Sequence, residues 1–194
     1  MASVADTVAA IRAGSAVVLP TDTVYGLCAD AGSEGACRRA FALKGRPEGQ
    51  PAALVCSDVE TLLELVPELP EKLVRALLPG ALTLIFGNPD RRYPWLGERT
   101  IGVRVPELSG VAAEVLSGVR VVMATSANLH GGPDPRTLDD VPEPVRAGCA
   151  AVVDGGKLPG TASTVLDFTG PEPRVLREGA VPAAEALSRS RSAT

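Results

Sequence analysis

The sequence predicts an α/β (α+β) fold, a twisted sheet of mixed parallel and antiparallel strands with helices packed on it. Three observations carry this. Apolar runs of four to six residues alternate with segments whose apolar residues recur at helical spacing, the pattern of strands joined by crossover helices. Near the C-terminus three strand-like runs follow one another with no helix between them, so the sheet cannot be purely parallel. A chain of 194 residues with 45% hydrophobic content can bury one substantial core, and no repeat or linker divides it. The expected organisation is a single domain over residues 1–188 and a disordered tail over 189–194.

The elements follow in order. Val4, Val8 and Ile11 have helical spacing and Gly14 can end the helix, which places it over 3–13. "VVLP" (17–20) reads as a buried strand that stops at the polar run Thr21, Asp22, Thr23. Ser33 is a candidate N-cap and Gly45 a stop for a helix over 34–43. "AALVC" (52–56) is a strand, "DVETLLELV" and "PEKLVRALL" are helices, and "ALTLIF" (81–86) is a strand. "NPDRRYPWLGER" is loop by composition. "TIGVRVP" (100–106) alternates like a strand and closes at Pro106, "GVAAEVLSG" is helical, and "VRVVMA" (119–124) is a strand. "TSANLHGGPDP" is rich in turn formers and reads as loop. Strands at "AAVVD", "STVLDF" and "PRVLRE" and a short helix at 183–187 complete the chain.

Composition narrows the function. A net charge of −4 argues against nucleic-acid affinity through the general field, leaving only a local basic groove. Cys28, Cys37, Cys56 and Cys149 form no CxxC pair and no metal-finger spacing, so they read as reduced thiols of a cytoplasmic protein. The first residues lack a signal-peptide pattern, and no apolar run approaches the roughly 18 residues of a membrane span. With His130 as the one histidine, zinc sites built on several histidines are excluded.

Four polar clusters lie at the ends of expected elements, where open α/β sheets place ligands: Thr21 to Tyr25, "LKGRPEGQP" (43–51), "GVRVP" (102–106) and "ATSANLHGGPDP" (124–135). Ser163 and Arg177 flank the last strands. Lys44 and Arg46, two apart in a Pro-stiffened loop, form either a phosphate clamp or two solvated cations. Arg104 alternates with Val103 and Val105, so it either lies on a wet sheet face or lines a concave site and pairs with a carboxylate. Ser126 and Asn128 either hold a ligand or bond nearby backbone in a turn. A Ser126–His130–Asp134 triad fails, because "ATSAN" is no G-x-S-x-G elbow and Gly131, Gly132 and Pro133 break any helix that would align the three. No glycine-rich phosphate loop is present.

Together, "LPTDTVYGL", "KGRP", "PGALTLIF", "GVRVP", "TSAN", "STVLD" and "VLREGAV" resemble, in order and separation, the YrdC-like family of threonylcarbamoyl-AMP synthases, over about residues 8–187. The resemblance implies a YrdC-like fold with a concave ligand face. It also implies a nucleotidyltransferase that joins L-threonine, bicarbonate and ATP, with Mg²⁺, into threonylcarbamoyl-AMP and pyrophosphate. Threonylcarbamoyl-transfer proteins then carry the group to tRNA. Lys44, Arg46 and Arg177 would face the ATP phosphates, with Gln50, Thr100, Ser126 and Asn128 fixing the nucleotide. Thr23 and Ser163 would hold threonine, Arg104 would pair with its carboxylate, and Ala124 would complete the pocket. No residue need be a covalent nucleophile. The chain departs from the family pattern at Gln50 (often Asn), Val55 (often His) and Asp134 (usually Ser). An RNA-binding relative that makes no adenylate is the alternative. A carbamoyl-adenylate-forming module of hydrogenase maturation factors is disfavoured, since such modules belong to much larger chains with zinc fingers.

Overall fold

The structure is a computed structural model that describes residues 2–47 and 50–193. Among the described residues nine strands form one mixed sheet: β1 (Val17–Pro20), β2 (Tyr25–Ala29), β3 (Ala53–Cys56), β4 (Leu82–Gly87), β5 (Thr100–Arg104), β6 (Val121–Ser126), β7 (Ala151–Val152), β8 (Thr164–Asp167) and β9 (Arg174–Arg177). Their order is β7-β1-β2-β6-β3-β5-β4-β8-β9. The β1/β7, β3/β5 and β4/β8 pairs are parallel and the others antiparallel, as expected for a mixed sheet.

Two of these features differ from local expectation. "YGLCA" is a strand, not the polar end of the first one. It pairs antiparallel with β1 from Val17↔Cys28 to Pro20↔Tyr25, so Thr21 to Val24 form the loop of a hairpin. The three consecutive C-terminal strands are split, with β7 beside β1 at one edge and β8–β9 at the other.

The helices are α1 (Val4–Arg12), α2 (Glu34–Leu43), α3 (Val59–Leu65), α4 (Glu71–Leu77), α5 (Gly110–Val119), α6 (Glu143–Ala147) and α7 (Ala183–Arg191). Capping follows chemistry: Ser3, Ser33 and Asp58 each accept a hydrogen bond from a backbone N–H of the first turn of α1, α2 and α3. The helix expected over 183–187 runs on to Arg191, so the expected disordered tail is helical as far as that residue. Ala186 and Ser190 are buried, and Arg189 Nη2 donates to Ala76 O of α4 at 3.0 Å. A helix whose flank packs and whose arginine meets a helix carbonyl outweighs the polar composition of "SRSR". Thr194 lies outside the described residues. Among the described residues, no helix is long and apolar enough to cross a membrane.

Burial along the strands places the site. In β1, Val18 joins the core under α2, α3 and α4, while Val17 and Leu19 join a second core with Ile11 of α1 and Val115 and Leu116 of α5. Helices therefore lie against both faces of β1, and the cleft begins where α1 and α5 leave the ends of β2, β6 and β3 uncovered. In β5 and β4 the pattern alternates: Ile101, Val103, Leu82 and Leu84 are buried, but Gly102, Arg104, Thr83 and Ile85 on the opposite face are only partly so. The face covered by α1 and α5 at one end is open at the other, and the cleft forms there.

Candidate active site

The cleft has a volume of about 260 Å³. Its walls come from the hairpin loop (Thr21, Thr23), the strand ends (Arg104, Ala124, Ser126), the segment before β8 (Ala162, Ser163) and β9 (Arg177), with Arg46 and Asp134 also on them. Residues from across the sequence thus meet at strand ends on the uncovered sheet face, where open α/β folds bind ligands.

Three guanidinium groups border this space, each held differently. Arg46 Nη1 donates to Thr125 Oγ1 at 3.1 Å and Nη2 to Pro51 O, with the guanidinium carbon 5.8 Å from the Phe41 ring centroid. Its buried Nε has no partner. Arg104 is 11% exposed and ion-pairs with Asp22, while the same Nη2 donates to Thr23 Oγ1 at 3.0 Å. Burial pulls its pKa down and Asp22 opposes that shift. Arg177 is exposed, its Nε donating to Ser163 O at 3.1 Å and its Nη2 to Ser163 Oγ at 3.2 Å.

Two pairs of hydroxyls stand beside these cations on the cleft wall. Thr21 Oγ1 donates to Val24 O at 2.7 Å and lies 3.0 Å from Thr23 Oγ1. Thr21 Oγ1 also accepts from Thr23 N and Val24 N, both at 3.2 Å, and Thr23 Oγ1 accepts from Arg104 Nη2. Ser163 Oγ is 2.8 Å from Thr83 Oγ1. Thr83 and Thr125 escaped the sequence reading; Thr83's one signal was a lone hydroxyl at an alternate position of the apolar run "ALTLIF".

Lys44 and Asn128 do not border the cleft. Lys44 is buried and all three of its N–H donors are taken, by Ser126 O at 2.7 Å, Asn128 Oδ1 at 3.0 Å and Thr125 Oγ1 at 3.2 Å. Burial, with Arg46 alongside, pulls its pKa down to about 8, against a smaller upward pull from Asp134. Asn128 Oδ1 also accepts from Ser126 Oγ at 2.6 Å, and its Nδ2 donates to Gly132 O. The K-x-R and S-x-N segments are thus one bonded unit, which presents Arg46 and Ser126 to the cleft. Thr100, at the far end of β5 opposite Gly87, does not border the cleft, and Gln50 lines a separate depression with Phe41 and Trp95. Ser126 bonds Asn128, and His130 is exposed, so no triad forms.

A strap closes one side. After β7, Gly155 N donates to Tyr25 Oη at 2.9 Å, Tyr25 Oη donates to Gly156 O at 2.8 Å, and Gly160 N donates to Thr23 O at 2.8 Å. A Cβ at Gly155 would lie 2.5 Å from Pro20 Cβ, so only glycine permits this approach. The strap leads directly into Ala162 and Ser163.

Burial pushes the thiols of Cys28, Cys37 and Cys56 up to about 12 and that of Cys149 up to about 11, which leaves no thiolate nucleophile at neutral pH. Among the described residues no three His, Cys, Asp or Glu side chains form a metal-holding group.

Fold and cleft define an open-sheet α/β protein whose concave, arginine-lined site suits a ligand with several negative charges. The chain belongs to the Sua5/YciO/YrdC family, whose model, described as telomere recombination, matches residues 9–179. It is 37% identical over 180 residues to a putative threonylcarbamoyl-AMP synthase of Mycobacterium tuberculosis H37Rv, covering 90% of this chain and 82% of that one. It superposes on Pyrococcus abyssi Sua5 complexed with L-threonine with a TM-score of 0.86 at 34% identity, covering 96% of this chain and 56% of that one. Escherichia coli YciO matches with a TM-score of 0.80 at 27% identity, covering 95% of this chain and 92% of that one.

Proposed function

We propose that this chain is an L-threonylcarbamoyladenylate synthase acting in tRNA modification in the cytoplasm. The observation that carries the reading is the convergence of Arg46, Arg104 and Arg177 on one cleft beside the hydroxyls of Thr23 and Ser163. The relatives named threonylcarbamoyl-AMP synthase and the threonine-bound Sua5 support it.

The threonine amine adds to bicarbonate, giving a carbamate and water. A carbamate oxygen then attacks the α-phosphorus of ATP, and pyrophosphate leaves with the electron pair of the broken P–O bond. Both reactants are anions, so positioning and positive charge carry the catalysis. Arg104 takes the threonine carboxylate, with Thr23 and Ser163 beside it and the wall at Ala124 closing the pocket. Arg46 and Arg177, which line the cleft, take the phosphates, and Ser126 takes the nucleotide. Lys44 and Asn128 serve from behind by holding Arg46 and Ser126 in place.

Mg²⁺ fits as an ion brought by the triphosphate. Asp134 is the carboxylate on the cleft wall and would supply one oxygen ligand, the phosphates and water the rest; the ion would neutralise phosphate charge. The product would pass to threonylcarbamoyl-transfer proteins. The relatives named threonylcarbamoyl-AMP synthase favour this reading over an RNA-binding relative that makes no adenylate.

The test is pyrophosphate release by the purified protein with ATP, Mg²⁺, bicarbonate and threonine. Release should require both threonine and bicarbonate, and release independent of threonine overturns the reading.

A further inference from the structure

We infer that Asp22 is a positioning residue for the amino-acid subsite, holding Nη2 of the Arg104 guanidinium so that Nη1 meets the substrate carboxylate. This rests on the synthase reading above.

Asp22 lies in the β1–β2 hairpin loop, 82 residues from Arg104, and its side chain is 12% exposed. Both of its oxygens are engaged: Oδ1 accepts from Arg104 Nη2, and Oδ2 accepts from Glu107 N at 3.3 Å. The carboxylate therefore ties the hairpin to the end of β5 and to the chain just beyond it. It does not border the cleft, whereas Arg104 does.

That arrangement assigns the donors. Nη2 is saturated by Asp22 and Thr23 Oγ1. Nε is buried without a partner, and among the described residues the hydrogen bonds of Arg104 come from Nη2 and none from Nη1. Nη1 is left as the donor available to a ligand in the cleft that Arg104 lines. Arg177, exposed on β9, adds to the positive potential at Arg104. Without Asp22, Arg104 would be a nearly buried cation with no counter-charge, and its long side chain would gain rotamers that aim it elsewhere. A carboxylate clamped at both oxygens is also a poor candidate for displacement by substrate, so Asp22 prepares Arg104 for the substrate and does not compete with it.

The experiment compares Asp22→Asn, Arg104→Gln and the double variant by threonine-dependent pyrophosphate release, with circular dichroism as a check on folding. Asp22→Asn should raise the threonine KM about tenfold or more, since it weakens a charge-assisted pair, while leaving the ATP KM unchanged. The double variant removes both charges, so it strands neither, and its threonine KM should equal that of Arg104→Gln alone. A threonine KM that is unchanged or lower in Asp22→Asn overturns the proposal, the lower value marking Asp22 as a competitor. If Asp22→Asn does not fold, the comparison of the double variant with Arg104→Gln decides, and any further rise in the double overturns it. Failure of the wild-type protein to show threonine-dependent release refutes the synthase reading instead, which separates the two outcomes.

Discussion

Lys44 Nζ donates to Asn128 Oδ1 at 3.0 Å across 84 residues of chain, joining the C-cap of α2 to the loop after β6. The bond makes two short sequence signatures into one structural unit and puts a lysine's charge behind the cleft wall. Asn128→Ala removes one of three acceptors from a buried ammonium, a loss of roughly 1–3 kcal/mol. The Tm should fall by about 2–4 °C for each kcal/mol lost. Pyrophosphate release should fall with it, because Ser126 loses its partner. Full activity with an unchanged melting curve would mean the unit does not support the site.

Arg46 contributes charge directly. Arg46→Ala removes a cleft-lining cation, and pyrophosphate release should drop by about 10²–10³-fold, as for loss of one preorganised donor to developing charge. Its hydrogen bonds go to one side-chain hydroxyl and one loop carbonyl and to no sheet or helix backbone bond, so circular dichroism should stay that of the wild type. Retained activity would relocate the phosphate site.

The depressed pKa of Lys44 makes a pH prediction. Burial moves it from 10.5 to about 8, so the unfolded chain takes up a proton between those values. This lysine's contribution to stability is complete above pH 10.5 and is lost as pH falls to about 8. Lys44→Met has no such group, and the titrations of cysteine and tyrosine cancel in the comparison. Denaturant unfolding should show the stability of wild type relative to Lys44→Met rising with pH across that window. A flat or falling difference contradicts a charged lysine held in the interior.

Tyr25 fastens the strap that leads to Ser163. Tyr25→Phe leaves Gly155 N–H and Gly156 C=O without their partner, at a cost of roughly 1–3 kcal/mol. Amide exchange should quicken over residues 154–160 while the strands at the sheet centre stay protected. Uniform exchange in both proteins would show that the strap does not depend on this hydroxyl.

Local sequence carried most of the strands and helices, because each has its own period, cap or turn residue: Ser33 before α2, Pro106 after β5, the alternation through Arg104. It failed at Tyr25–Ala29, where five buried residues follow a polar turn and show no alternation, since the residues on both faces of β2 are buried. The position of β7 beside β1 was equally illegible, because sheet order depends on contacts distant in sequence. Arg104 shows the same limit at the site. Its alternation correctly placed it on the opposite face from the core. That the face is concave, and that the nearest carboxylate belongs to Asp22 of the hairpin loop, follows only from the fold. The roles of Lys44 and Asn128 were read from the family signature as ligand contacts, and burial, which spacing does not report, places both behind the cleft.

The most direct test follows the carbon. Protein is incubated with ¹⁴C-bicarbonate, L-threonine, ATP and Mg²⁺, and the nucleotides are separated. Label should appear in an adenylate only when threonine is present, with pyrophosphate released in equal amount. Absence of labelled adenylate, or its appearance without threonine, contradicts the assignment of this cleft to threonylcarbamoyl-AMP synthesis.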